Sequence, residues 1–266
     1  MLRMKKVART LMLAMLLVGL TIPQAMAAKN VIMLVPDGCS TSIQTLSRWL
    51  NEKPLNVDPI MSGSVITHMA NSVITGSAAA GTAFACGHKT SVRFIGVGPS
   101  KTSPKGKELG FLTGFTPTAE PFAPVESILE VAKRKGLATG LVATSRITHA
   151  TPASFAAHID DRGKDNELME HMVYNDVDVV FGGGARHLIP KDQTYTTSFG
   201  DTWKGKRTDG ENLIDELKKR GYAFVDSKQG MAGVTSGKVW GLFDDSHMDP
   251  DLDRDDLHPT QPSLAE

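Results

Sequence analysis

Apolar extended runs alternate with amphipathic helical patterns along most of this chain, and that alternation restricts the fold more than any other feature. Runs at 30–35, 64–69, 139–144, 177–181, 222–225 and 238–243 have the length and β-branched content of strands. Between them, apolar spacing predicts helices over 41–50, 77–86, 124–135, 166–174 and 211–220. Several of these end at glycine, as Lys135-Gly136 and Arg220-Gly221 do, where a chain commonly leaves a helix through a left-handed residue. Strands that return through helices lie parallel. The expected fold class is therefore α/β, a three-layer sandwich with a mainly parallel central sheet and helices on both faces.

Ligands of such sheets bind beyond the carboxyl ends of the strands, so the residues just after each run are candidates. The run Asn30-Val31-Ile32-Met33-Leu34-Val35-Pro36-Asp37-Gly38 ends in an acidic turn. A carboxylate there offers a cation an oxygen donor on a rigid element; the same letters also suit a plain Asp-Gly turn. In Ile74-Thr75-Gly76-Ser77-Ala78-Ala79-Ala80-Gly81-Thr82-Ala83 one hydroxyl stands where a loop becomes a small-residue helix. The unpaired amides of a helix N-terminus favour an anion, so the place suits a phosphoryl group; the alternative is a buried helix capped by Ser77. A third segment, Ser145-Arg146-Ile147-Thr148-His149-Ala150-Thr151-Pro152-Ala153, precedes His158-Ile159-Asp160-Asp161-Arg162. Pro152 biases the stretch toward extended geometry, which would put His149 and Thr151 on one face, and Arg162 supplies a planar fork for two phosphate oxygens.

With these motifs in order, the chain resembles the amino-terminal part of the alkaline phosphatases. The resemblance runs from residue 29 to 266 and also draws on Phe181-Gly182-Gly183-Gly184-Ala185 and Gly241-Leu242-Phe243. It implies an alkaline-phosphatase-like sandwich, incomplete at the C-terminus, that hydrolyses small phosphomonoesters through a phosphoserine. On that resemblance Ser77 is the nucleophile, Arg162 the phosphate clamp, Asp37 a carboxylate bridging zinc and magnesium, and Thr151 a magnesium ligand. His149 falls at the third metal position. The implied cofactors are two zinc ions and one magnesium, and the implied assembly is a homodimer. A lone serine hydroxyl is a poor nucleophile, and paired metals answer that need by stabilising both attacking and leaving oxygens.

Two departures from the family pattern stand out. Gly76 replaces the aspartate that usually precedes the nucleophile, so a looser phosphate grip is expected. His149 occupies a position that is Asp in some members and His in others, and imidazole suits zinc better than magnesium. Zinc takes at least three protein ligands, of which only Asp37 and Ser77 are assignable. The expectation is a C-terminally truncated member whose remaining ligands lie beyond Glu266, with residues 28–266 alone showing no metal-dependent turnover. His68, His88, His171, His187, His247 and His258 are read as surface or internally satisfied histidines.

Residues 1–27 read as a signal peptide: Arg3, Lys5, Lys6 and Arg9 precede an apolar run at 11–20, and Ala25-Met26-Ala27 makes a cleavage site. The run is too short to span a bilayer, and no cysteine near the cleavage point offers a lipid anchor. A periplasmic or secreted protein is expected, with one alkaline phosphatase domain over 28–266. Without the leader, 25 basic side chains face 29 acidic ones, a net charge of −4 that carries no signature for nucleic acid. The two cysteines, Cys39 and Cys86, are expected to be buried free thiols. The stretch 96–120 reads as a surface loop. The glycines at 182–184 read as a tight strand-to-loop turn in preference to a phosphate cradle. The acidic stretch 244–256 fails the EF-hand pattern, with Arg254 where glycine is required, and reads as a solvated loop. Two other classes stay open: a phosphate-binding protein without catalysis, and a related phosphomutase or sulfatase. The Cys/Ser-x-Pro-x-Arg context of sulfatases is absent around Cys39, Cys86 and Ser77.

Overall fold

Four of the six apolar runs pair into one parallel sheet in the computed structural model, which describes residues 28–266. The expected leader at 1–27 lies outside the described residues. The sheet contains β1 (Gly140–Arg146), β2 (Val179–Gly183), β5 (Tyr222–Val225) and β6 (Lys238–Leu242) in the order β1-β2-β6-β5. Leu141, Val180, Trp240 and Phe224 stand in one row across it. The helices, in chain order, are α1 (Thr41–Asn51), α2 (Ser77–Cys86), α3 (Ile128–Arg134), α4 (Ala150–Ala153), α5 (Asp165–Tyr174), α6 (Leu213–Lys219), α7 (Lys228–Ala232) and α8 (Arg254–Leu257). Leu168, Met169, Met172 and Val173 of α5 and Leu213, Ile214 and Leu217 of α6 join Val180, Trp240 and Leu242 in the core. A short antiparallel hairpin, β3 (Thr194–Thr196) with β4 (Thr202–Lys204), adds to the expected elements; three-residue strands carry no readable alternation.

The runs at 30–35 and 64–69 correct the expectation. Neither forms a strand, and Val31, Ile32 and Leu34 are 74–85% exposed, as are Val65 and Ile66 at 67% and 77%. A strand exists only with a ladder partner, and apolar content does not name one. Around residue 69 the one pairing is an isolated bridge from Met69 to Ser72.

The chain divides into two compact units, Met1–Met61 and Ser62–Glu266. In the first, Ser40 caps α1 by accepting the Ile43 N–H, and Glu52 ends it in a left-handed conformation at φ 51°. Arg48 holds Asp58 in a two-bonded pair, which keeps that carboxyl down at about 2. In the second, the 96–120 stretch contains no helix or ladder strand, and its first residues, 96–100, are buried instead of lying on the surface. Arg207, wholly buried, donates to the carbonyls of Asn166 and His187 and faces the carboxylates of Glu170, Asp209 and Glu211. It ties the start of α5 to the loop before α6.

A second polar knot fixes the segment that carries Arg162. Ser127 and Glu130 form a reciprocal cap at the start of α3, which accounts for that helix beginning at residue 128 instead of 124. The second oxygen of Glu130 accepts from His158 Nε2 at 2.7 Å and from Asn175 at 3.0 Å, while His158 Nδ1 faces the Gly96 carbonyl at 2.5 Å. A carbonyl and a carboxylate only accept, so both ring nitrogens carry protons and His158 is favoured as the cation. Against the opposing effect of burial, these partners raise the His158 pKa and lower that of Glu130. The stability His158 adds is full below its ordinary 6.5 and drains away as pH rises through the raised value; that from Glu130 is full above its ordinary 4.5 and lost on acidification. The melting temperature should therefore fall as pH rises above the ordinary 6.5 of histidine, and in His158→Gln that slope should flatten; equal slopes in both proteins would show that His158 is not cationic.

Candidate phosphate-holding site

Gly76, extended at φ −104° and ψ 163°, is the N-cap of α2, and no side chain caps the helix. Ser77 is therefore its first helical residue, and the alternative in which Ser77 serves as the cap does not hold. Ala78, Ala79, Gly81 and Thr82 are buried beneath it. Gly81 lies so close to α4 that a Cβ there would stand 2.7 Å from Ser154 Oγ and 3.2 Å from the Ala150 carbonyl. Thr82 Oγ1 donates to Ala78 O at 2.9 Å and accepts the Gly96 N–H at 3.0 Å, and Gly87 closes the helix at φ 64°.

The turn below α2 differs from the extended geometry expected of it. His149 is extended, at ψ 152°, but Thr151 is the second residue of α4, a single helical turn. Ala150, Pro152 and Ala153 are all buried, and packing outweighs the pre-proline bias. Proline costs little here, because its missing N–H falls in a first turn where amides have no helical acceptor. His149 and Thr151 thus share the start of one turn. The Arg162 N–H is bound to Arg93 O at 2.9 Å, and its Nη2 reaches His149 Nε2 at 2.9 Å. Since a guanidinium only donates, Nε2 of His149 accepts.

Asp37, expected at the end of a strand, sits instead on an exposed turn, where Cys39 N–H bonds to Pro36 O at 3.3 Å and Gly38 takes φ 74°. It belongs to the first compact unit and is described with it. The structure thus joins His149 to Arg162 and seats the Ser77 helix on the turn that holds Thr151.

Several neighbours carry no motif of their own in the sequence. His247, read as a surface or internally satisfied histidine, packs edge to face on His149 with ring centroids 5.6 Å apart. Its Nε2 lies 2.8 Å from Arg146 Nη1, and its Nδ1 is 3.2 Å from the Arg146 backbone nitrogen. Arg146 Nε in turn lies 3.4 Å from Asp165 Oδ1, which also accepts from Thr148 Oγ1 at 2.5 Å. Burial, then the Arg146 and Arg186 guanidinia, press the His247 pKa below its usual range. The signal that could have found His247 is its place four residues beyond Phe243, past the carboxyl end of a parallel strand.

The glycine run at 182–184 behaves as fold geometry. A Cβ on Gly183 would stand 2.1 Å from the Ser246 carbonyl oxygen, and one on Gly182 2.9 Å from Ala143 O. The amides of Gly184 and Ala185 are bound by Asp244 O, and that of Arg186 by Asp245 O, so these amides are used by the chain itself. The stretch 244–256 is also less solvated than expected: Asp244 is half-buried, Arg254 is buried, and residues 254–257 form α8. Burial, reinforced by Asp245 and Asp249, raises the Asp244 pKa, and Gln261 clasps both Asp244 and the Asp249 N–H. Cys39 and Cys86 are free and half-buried; burial and nearby Glu130 push the Cys86 thiol up to about 11.

Zinc requires three or more protein donors. Among the described residues, the triplets of His, Cys, Asp or Glu donors within 4.8 Å of one another are Asp244, Asp249 and His258, and Glu170, Asp209 and Glu211. Neither contains Asp37 or His149, and Arg207 fills the second. The described residues do not compose a zinc site at Ser77.

An alkaline phosphatase family model matches residues 28–266. The chain belongs to the alkaline phosphatase family. It is 32% identical to the repressible alkaline phosphatase of Saccharomyces cerevisiae, over 96% of this chain and 45% of that protein. Alkaline phosphatase 3 of Bacillus subtilis is 33% identical over 85% of this chain and 44% of its own length. Among solved structures, a histidine-to-glutamate mutant of TAB5 alkaline phosphatase with magnesium bound in its M3 site matches at a TM-score of 0.63 and 29% identity, over 84% of this chain and 55% of that one. The chain spans slightly less than half the length of these two curated relatives. The α/β fold with a parallel central sheet is the alkaline phosphatase fold.

The packing at the end of β2 makes a stability prediction for this family member. Gly183→Ala must displace the backbone at Ser246, which should cost about 3 kcal/mol, at the upper end of what overpacking usually costs. A denaturant midpoint unchanged from that of the parent would show the segment to be soft.

Proposed function

We propose that the protein is a phosphomonoester hydrolase in which Ser77 is the nucleophile and Arg162 holds the transferring phosphoryl group. The contact between Arg162 and His149, immediately before the turn that packs on the Ser77 helix, is the observation that supports this most. Two guanidinium N–H groups match two non-bridging phosphate oxygens, and the first-turn amides of α2 favour the same anion. Ser77 Oγ attacks phosphorus in line. The Oγ–P bond forms as the bond to the ester oxygen breaks, and the proton lost from Ser77 balances the one gained by the departing alcohol. Water then cleaves the phosphoserine, releasing inorganic phosphate and restoring the hydroxyl.

Metal ions belong to this reading as the source of Lewis acidity, which lowers the cost of making an oxyanion nucleophile. Asp37 and Thr151 offer oxygen atoms of the kind magnesium takes, and His149 offers a nitrogen that suits zinc. Zinc is proposed for the whole protein only, because the described residues do not supply its ligand set. In the same reading the protein is exported after loss of residues 1–27, is periplasmic or secreted, and works as a homodimer. Its substrates are small phosphomonoesters, with no role for nucleic acid.

Acid quenching during turnover of an aryl phosphate by the whole, metal-loaded protein should trap one phosphate on the parent and none on Ser77→Ala. Label persisting on the variant would move the nucleophile elsewhere. Saturable phosphate binding with no trapped label on the parent would make it a binding protein. A second substitution tests the grip. Gly76 has an ordinary φ, and no atom lies within 4 Å of where a Cβ on it would stand, so Gly76→Asp is sterically open. On the family resemblance this carboxylate would reach Arg162 and orient it, and phosphate affinity should then rise by about 1 kcal/mol, a typical gain for a charge-assisted bond. Unchanged or weaker affinity would mean that His149 already performs that task.

A further inference from the structure

We propose that His247 is a positioning residue for the phosphate grip: fastened by Arg146, it fixes the ring of His149 and through it the guanidinium of Arg162. This rests on the reading of Arg162 as the group that receives phosphate.

The geometry is a line of side chains, each constrained by the next. Asp165 Oδ1 faces Arg146 Nε at 3.4 Å, Arg146 Nη1 faces His247 Nε2 at 2.8 Å, and the His247 ring stands at 72° to that of His149. His149 Nε2 then meets Arg162 Nη2 at 2.9 Å. Both nitrogens of His247 face donors of Arg146, which favours the neutral ring; one nitrogen accepts from Arg146 and the other carries the ring's single proton. Neither nitrogen is left to bind a ligand, so the role is to hold and not to coordinate.

The backbone under His247 is as firmly set as its ring. Met248 N–H bonds to Thr144 O of β1 at 3.0 Å, Ser246 N–H to Asp244 Oδ1 at 2.8 Å, and the Ser246 carbonyl lies over bare Gly183. An exposed loop residue tied in this way presents its ring at a fixed place. Imidazole rotates broadly about its outer torsion, and an edge-to-face neighbour removes much of that freedom. Without the His247 ring, the His149–Arg162 contact loses the aromatic edge that narrows the His149 rotamers, and the part of the ordering it supplied falls to phosphate, which weakens binding.

The test uses the 266-residue chain labelled with nitrogen-15, read by long-range imidazole spectra and by the exchange of the Arg162 side-chain N–H, with inorganic phosphate titrated calorimetrically. In His247→Ala the His149 signals should move, Arg162 exchange should accelerate, and the phosphate Kd should rise about tenfold, a modest misplacement effect. His247→Phe keeps an aromatic edge and should recover most of the loss; it also guards against general unfolding of the alanine variant. Spectra and Kd of His247→Ala within about twofold of the parent would overturn the proposal, as would equal damage in the phenylalanine variant. If the parent binds no phosphate, the reading of Arg162 fails, and the His149 and Arg162 spectra still decide whether His247 positions them.

Discussion

Much of the site depends on the absence of side chains at one place, the carboxyl end of β2. Gly182 and Gly183 let the backbones of β1 and of the segment after β6 come within contact of the strand, at distances that no Cβ tolerates. Gly184, at φ 101°, then turns the chain so that its amide and that of Ala185 meet the Asp244 carbonyl. Parallel strands already share a carboxyl edge, and this bare end gathers three connecting segments over it. One carries His149, one Arg186 and His187, and one His247.

The charges at that edge are arranged with little redundancy. Asp165 is the carboxylate that faces Arg146, and it also accepts from Thr148, so it anchors the segment leading to His149 as well as the guanidinium that steadies His247. Burial, set against the attraction of Asp165 and reinforced by Arg186, Arg146 and Lys206, lowers the His187 pKa. Neutral imidazoles among fixed guanidinia give a positive field without the repulsion that further cations would bring.

Local structure is legible in the sequence wherever neighbouring residues carry it. The bounds of α2 and β5 follow from composition, from Gly87, and from the apolar run at 222–225. Ser77, His149, Thr151 and Arg162 are marked by their motifs, and the contact of His149 with Arg162 agrees with their being grouped. Partnership is not legible. Val31, Ile32 and Leu34 have the letters of a strand but no described ladder, Thr151 enters a helical turn because Ala150 and Ala153 are buried, and His247 is 101 residues from the Arg146 that holds it. Such non-local pairings appear only once the chain has folded.

The contact at Gly81 has a mechanical side. With Ser154 Oγ and the Ala150 carbonyl where a methyl group would otherwise stand, no void separates α2 from α4, and close-packed interiors transmit displacement with little loss. The two helices meet there as a single stiff body, so a displacement of α4 at Ser154 is passed to the middle of α2 by contact alone.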